Sequence, residues 1–236
     1  MEALTSTNDR KRLNFPWVTF YTLAVCLVLL PFKDILPMQG EFVSDAATKN
    51  YWNLPLADFT FVSYMFQHSG ILHFGTNAIT LYFFGALLEV AIGPGRTALF
   101  YLASGVIAGL AQYFAMPFAH LGEVGLSGVT FAVMTAMLCA FPGYVLKRIA
   151  AFQIKVWQVV LVIFGLQLPT LLSLGGIAGG DKNAYVIHLG GALAGFLLWA
   201  FWLRKPLQRF RKAQEFLPET EIGMSGRIVF DPSLFS

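Results

Sequence analysis

The chain has 236 residues, of which 56% are hydrophobic and only 12% are charged. Soluble domains carry roughly 25% charged residues, so this composition excludes an ordinary soluble protein. The net charge of +3 is small. It is better explained by an uneven distribution of Lys and Arg along a membrane protein than by binding to nucleic acid.

Six apolar stretches approach the length of about 20 residues that an α-helix needs to cross a bilayer. We therefore predict an all-α, polytopic membrane protein with a six-helix bundle. The first and fourth stretches are short for a full span. The predicted helices are Phe15–Phe32, Ile71–Val90, Thr97–Phe118, Leu126–Phe141, Val156–Leu174 and Ala184–Leu203.

These helices divide the chain into three parts. Residues 1–14 form an N-terminal segment, residues 15–204 the transmembrane domain, and residues 205–236 a C-terminal tail. The first helix is followed by Pro31-Phe32-Lys33, which differs from the small-residue site that signal peptidase cuts. We therefore expect the first helix to be retained.

The distribution of Lys and Arg predicts the orientation, because these residues favour cytoplasmic loops. With the N-terminus inside, thirteen of the sixteen fall in inner segments and three in outer segments, namely Lys33, Lys49 and Lys182. We predict a multi-pass protein of a plasma membrane, the inner membrane of a bacterium, with both termini in the cytoplasm.

The fourth predicted helix follows Gly125 and contains a regular row of small residues. They recur at every fourth position, at Gly128, Ala132, Ala136 and Ala140. Positions four apart share a helix face, and a face without bulk lets neighbouring helices pack backbone to backbone in lipid. We expect this helix to be surrounded by others. Taken alone, Ser127 in its first turn is typical of a helix N-cap.

Two other predicted helices carry polar residues near their outer ends. His73 and Asn77, four residues apart in the second helix, share one face. His188 lies about one turn into the sixth helix, on the same face as Gly191 and Gly195. Singly, such residues cap helices or join them. Polar groups at membrane depth, however, usually face the interior of a bundle or a wet cavity.

The second, fourth and sixth helices run in the same direction, so these polar residues should lie at similar depth. Serine needs a base to become a strong nucleophile, and histidine is the usual base. The free N–H groups at the start of the helix beside Ser127 favour negative charge. His73 and Asn77 could add donors for an oxyanion. A nucleophile, a base and oxyanion donors are thus available without a carboxylate.

Together these motifs resemble the rhomboid family of intramembrane serine proteases in its basic six-helix form. The resemblance covers roughly residues 15–204. It includes Glu89 and Gly93, and it depends mainly on three motifs in the family's order: His68-x4-His73-x3-Asn77, Gly125-Leu126-Ser127-Gly128 and His188-x2-Gly191-x3-Gly195.

The resemblance implies a role for each matched residue. Ser127 would be the nucleophile and His188 the general base of a dyad. His73, Asn77 and the backbone N–H of Ser127 would form the oxyanion hole. His68 would support the outer end of the second helix, and no cofactor or metal ion is expected. Membrane proteins, single-span ones among them, would be the substrates within the lipid bilayer.

Two positions depart from the family's usual pattern. A Trp-Arg pair is common in the first outer loop, where this chain has Phe59 and Thr60. A Tyr is common one turn after the serine, where this chain has Phe131. We expect the Phe131 ring to pack against the His188 imidazole, as the family's Tyr does. Neither departure removes a catalytic group.

Two other classes of function remain open from the sequence. A catalytically silent relative could bind membrane proteins and still retain the motifs. A transporter or channel could use the same polar residues to line a wet path, although the inner halves of these helices continue no such path. The sequence leaves the oligomeric state open.

Overall fold

The structure is a computed structural model that describes residues 15–32, 62–115, 125–149, 152–172 and 182–215. This part of the chain is mainly helical, which confirms the predicted all-α membrane class. The helices are α1 Trp17–Leu29, α2 Ile71–Ile92, α3 Pro94–Ala115, α4 Ser127–Ala140, α5 Val156–Leu172, α6 Lys182–Leu198 and α7 Arg204–Glu215. A π-helical turn, Leu81–Gly85, lies within α2, and another, Trp199–Leu203, joins α6 to α7.

Three helices in the described ranges are long and apolar enough to cross a membrane, namely Ile71–Ile92, Pro94–Ala115 and Tyr185–Lys212. The apolar helices Trp17–Phe32, Ser127–Ala140 and Val156–Leu166 are shorter. The predicted six spans therefore stay a prediction, while the positions of the helices agree closely with the sequence.

Two elements differ from the sequence prediction. Residues expected to form a loop before α5 form an antiparallel hairpin, β1 Val145–Ile149 and β2 Phe152–Lys155. The sixth helix also continues past Leu203 into α7. The continuation buries Leu207 and Phe210, which share one face with the buried Leu203 and pack on the bundle. The sequence prediction ended this helix at the first charge and missed that apolar stripe.

The short helix α4 lies at the centre of the bundle, and most of its residues are buried. A Cβ atom added to Gly191 would collide with the backbone of Gly128, and one added to Gly195 with the backbone of Ala132. These two contacts advance by four residues on both helices, so α4 and α6 run parallel with their backbones in contact. The row of small residues thus has the packing role expected of it.

The carboxylate of Glu89 attaches α1 to the bundle. It accepts hydrogen bonds of 2.8 Å from the backbone N–H groups of Val18 and Thr19 and from the Thr19 hydroxyl. The first N–H groups of a helix have no partners within the helix, and a negative charge stabilises this end. Glu89 therefore caps α1 from α2, and Tyr101 extends the network with a 2.8 Å contact to Thr19 Oγ1.

Candidate active site

The turn before α4 is held by the segment that precedes α2. The N–H of Gly125 donates to the carbonyl of Tyr64 at 2.8 Å, and the N–H of Leu126 donates to Nε2 of His68 at 3.4 Å. Gly125 has a φ of +111°, a backbone conformation that is strained for any residue with a side chain. Its missing side chain also leaves room for His73, because an added Cβ would lie 2.9 Å from His73 Cε1. Ser127 follows this turn and is buried.

His68 is fully buried just before α2 and packs edge-to-face against two other rings. Its centroid lies 5.2 Å from that of His73 and 5.4 Å from that of Phe74. Burial, together with a smaller effect of repulsion from His73, lowers the pKa of His68 to about 4. At neutral pH, His68 is therefore uncharged, so that Nε2 can accept the hydrogen bond from Leu126. His68 thus contacts the turn before Ser127 as well as the first turn of α2.

His73 has one ring edge towards Ser69 and the other towards the turn before α4. The Ser69 hydroxyl lies 3.1 Å from Nδ1, four residues earlier in the chain. The Cε1 and Nε2 atoms face Gly125 instead. A neutral imidazole carries one proton. If the Ser69 hydroxyl donates to Nδ1, that proton is on Nε2, the edge that faces the turn.

Asn77 is buried one turn further along α2, and its amide has partners at both ends. Its Nδ2 donates to the carbonyl of His73 at 3.0 Å, which uses one of its two hydrogens. Its Oδ1 accepts from the hydroxyl of Thr130 at 3.4 Å. The single proton of this hydroxyl is shared with the carbonyl of Ser127, the nearer acceptor at 2.9 Å. This threonine ties the orientation of the Asn77 amide to the first turn of α4.

The His188 imidazole lies on the ring of Phe131, one turn after Ser127. The two planes are 7° from parallel and the centroids 4.3 Å apart. The ring contact expected from the sequence is present. Phe131 also contacts Phe164 of α5 at 5.0 Å, and Tyr185 lies edge-on to His188 at 6.2 Å. His188 is thus placed between aromatic rings over the face of α4 that carries Ser127.

The structure brings the predicted site residues to one end of three helices. Ser127 precedes Gly128 by one residue and His188 precedes Gly191 by three, and these glycines are in backbone contact. His73 reaches Gly125, and Asn77 reaches Thr130, so the start of α2 lies at the same end. The depth argument made from the sequence therefore agrees with the packing. Phe59 and Thr60 lie outside the described residues.

Three residues of this site were missed by the sequence analysis, namely Tyr64, Ser69 and Thr130. The spacings offered a weak signal for two of them, because Ser69 is four residues before His73 and Thr130 three after Ser127. Tyr64 acts through its backbone carbonyl, and its hydroxyl donates to the carbonyl of Gly105 at 2.8 Å. Within the described ranges, no three His, Cys, Asp or Glu side chains gather as metal ligands would.

Fold and site together define a helical integral membrane protein with a buried serine at a helix N-terminus and histidines of two neighbouring helices at the same end of the bundle. The rhomboid-domain family model matches residues 56–205, which is more than half of the chain. The chain belongs to the rhomboid family.

Curated relatives include proteins named as proteases and a protein named as inactive. The chain is 28% identical over 171 residues to RHOMBOID-like protein 6, mitochondrial, of Arabidopsis thaliana, covering 72% of the chain and 51% of the relative. It is 29% identical over 175 residues to Rhomboid-type serine protease 2 of Emericella nidulans, covering 72% and 31%. It is 35% identical over 119 residues to Inactive rhomboid protein 1 of Drosophila melanogaster, covering 48% and 8%. The chain spans about half of these relatives' lengths or less.

Proposed function

We propose that this protein is an intramembrane serine endopeptidase that cleaves transmembrane segments of membrane proteins near the outer face, using a Ser127–His188 dyad. The observation that carries the proposal is the backbone contact between Gly128 and Gly191, which brings the serine and histidine ends of α4 and α6 together. The stacking of His188 on Phe131 adds to it, because both Phe131 and Ser127 occupy one face of α4.

In the proposed reaction, the Ser127 hydroxyl oxygen attacks the carbon of the scissile carbonyl while His188 removes the hydroxyl proton. The peptide C–N bond then breaks, and the leaving nitrogen takes the proton from His188. Water, deprotonated by His188, attacks the resulting ester, and Ser127 recovers its proton as the acid product leaves. Atoms and protons balance without a cofactor.

Negative charge develops on the carbonyl oxygen in both halves of the reaction. The proposed donors are the N–H of Ser127, Nε2–H of His73 and the second hydrogen of Asn77 Nδ2. Donors that are fixed before the reaction stabilise this charge without reorganising. We propose that Ser69 and Thr130 fix two of them, by keeping the proton of His73 on Nε2 and by holding the Asn77 oxygen away from the substrate.

The proposed substrates are membrane-spanning helices, which resist proteolysis for a physical reason. A helical peptide bond is already hydrogen-bonded, and its carbonyl is shielded from attack. By family resemblance, preferred sites would combine small residues with neighbours that destabilise a helix. The site would then receive a locally unwound segment.

A serine-directed probe and a single-span model substrate test this proposal on the purified protein. Ser127→Ala and His188→Ala should each abolish cleavage, and Ser127→Ala should also abolish labelling. Ser104→Ala is the matched control, because Ser104 is a buried serine on α3 whose hydroxyl donates within its own helix. Unchanged turnover in Ser127→Ala would reject the mechanism. Loss of activity in Ser104→Ala as well would point to a folding defect instead.

The proposed orientation places the site near the outer face and both termini in the cytoplasm. A reporter fused after Lys182 should then read outside, and one fused after Lys212 should read inside. The reverse pattern would place the site at the cytoplasmic face. It would overturn the orientation while leaving the proposed chemistry standing.

A further inference from the structure

The helix formed by α6 and α7 changes character along one continuous face. Its exposed apolar side chains end at Phe201, which is 87% exposed. The next exposed residues on this face are Lys205, Arg209 and Lys212, at intervals of four, four and three residues. We call these three residues the basic stripe. The opposite face buries Leu203, Leu207 and Phe210 against the bundle. The stripe therefore continues the exposed apolar surface of the helix and faces away from the bundle.

The depth of the basic stripe follows from the geometry of the helix. Lys205 lies four residues beyond Phe201, a rise of about 6 Å, and Lys212 eleven residues beyond it, about 16 Å. The headgroup layer on each side of a bilayer is about 5–8 Å thick. Lys205 therefore lies at the level of the headgroups if Phe201 lies at the edge of the hydrocarbon. Arg209 can reach the layer by bending its long side chain back.

Within the part of the chain whose side chains are described, no carboxylate lies beside these cations. Among the residues whose side chains are described, Glu89 is the sole carboxylate, and it is buried at the N-terminus of α1. Arg204 and Arg211 are exposed beside the stripe and add to its charge. Cations clustered just beyond a membrane helix attract anionic lipids, each contributing about fivefold to affinity near the surface.

We propose that the basic stripe binds the headgroups of anionic phospholipids. It would so anchor the C-terminal end of the continuous helix α6–α7, which carries His188 near its N-terminal end. The apolar face of α6 would contact the acyl chains of the same lipids. Because the charge of the stripe is screened beyond about 8 Å at physiological salt, the effect of each cation should decrease from Lys205 to Lys212. This proposal does not depend on proteolytic activity or on which membrane face the stripe occupies.

Native mass spectrometry of the full chain in neutral detergent tests the proposal with phosphatidylglycerol as the probe and zwitterionic phosphatidylcholine as the control lipid. The wild-type protein should bind the first phosphatidylglycerol several-fold more tightly than phosphatidylcholine. Lys205→Gln with Arg209→Gln should weaken phosphatidylglycerol binding at least fivefold and leave phosphatidylcholine binding unchanged. Lys212→Gln alone should have a smaller effect than Lys205→Gln alone.

The matched control is Arg96→Gln with Lys155→Gln, which removes two positive charges from α3 and β2 and leaves the stripe intact. It should retain the preference for phosphatidylglycerol. An equal loss in the control pair would show a diffuse charge effect and overturn the proposal, as would an unchanged affinity in the stripe pair. Ser127→Ala should bind lipid like the wild-type protein, which separates this test from that of the protease.

Discussion

The ring of Phe131 lies flat against the imidazole of His188, with the centroids 4.3 Å apart and the planes 7° from parallel. Phe131 is buried and also touches Phe164, so its own position is fixed. A contact of this kind is worth about 0.5–1.5 kcal/mol. Because Phe131 carries no proton donor, its value to the proposed reaction would be to hold His188 in line with Ser127.

Substitutions at Phe131 should therefore distinguish the effect of the aromatic ring on turnover from the effect of a hydroxyl group on that ring. Phe131→Tyr should stay within about tenfold of the parent in kcat/KM, one decade being about 1.4 kcal/mol. Phe131→Ala should fall about 10²-fold or more, since a misplacement of about 1 Å can cost that much. Turnover of the single-span substrate at equal expression measures both. If Phe131→Leu matched the parent, the ring would merely fill space and the positioning role would be wrong.

Removal of the Asn77 amide should slow cleavage without abolishing it. One oxyanion donor is worth roughly 10²–10³ in rate, and two other donors would remain. We therefore expect Asn77→Ala to lower kcat by about that factor. Thr80→Ala is the control on the same helix, because the Thr80 hydroxyl donates to the carbonyl of Thr76 and not to the His73 carbonyl that Asn77 contacts. Either a complete loss of cleavage or an unchanged rate in Asn77→Ala would contradict the assigned role.

The contact between Ser69 and His73 predicts a kinetic effect for a residue outside the proposed dyad and oxyanion hole. Ser69→Ala should lower kcat by about two- to tenfold, the range expected for one net hydrogen bond, with KM little changed. Ser69→Thr keeps the hydroxyl and should restore the rate. Ring ¹⁵N chemical shifts of His73 would report the tautomer directly. A change in KM alone, or an unaltered tautomer in Ser69→Ala, would show that Ser69 does not position this proton.

Stability should depend on pH through His68. Its pKa is lowered from 6.5 to about 4 by burial, and protonation of Nε2 would remove the acceptor for the Leu126 N–H. A histidine whose pKa is lowered in the folded state contributes its full stabilisation above pH 6.5, where it is neutral in both the folded and the unfolded state. That contribution is lost as the pH falls from 6.5 towards 4.

The variant His68→Gln tests this dependence, because a glutamine oxygen can accept the same hydrogen bond and does not titrate. The variant should be less stable than the parent at pH 7, and the difference should shrink by pH 4.5. One pKa unit corresponds to about 1.4 kcal/mol, or about 3–6 °C in the unfolding midpoint for a chain of this size. Parallel midpoint-against-pH curves for the two proteins would rule out His68 as the titrating group.

The sequence by itself determined the class of the protein and the helices that carry its polar residues. Apolar runs of near-spanning length can be read locally, because a helix in lipid satisfies its own backbone and needs no distant partner. The repeat of small residues from Gly128 predicted close helix packing for the same local reason. The motifs around Ser127, His73 and His188 then identified the family.

Tertiary structure decided the contacts that orient those side chains. The bonds from Gly125 to Tyr64 and from Leu126 to His68 join positions about sixty residues apart, and no periodicity encodes them. The continuation of the last helix through Phe210 likewise depended on a surface at Phe141 for its apolar stripe to pack against. A charge in the sequence marks where a helix can leave the membrane. Only packing decides whether it continues as a helix beyond that point.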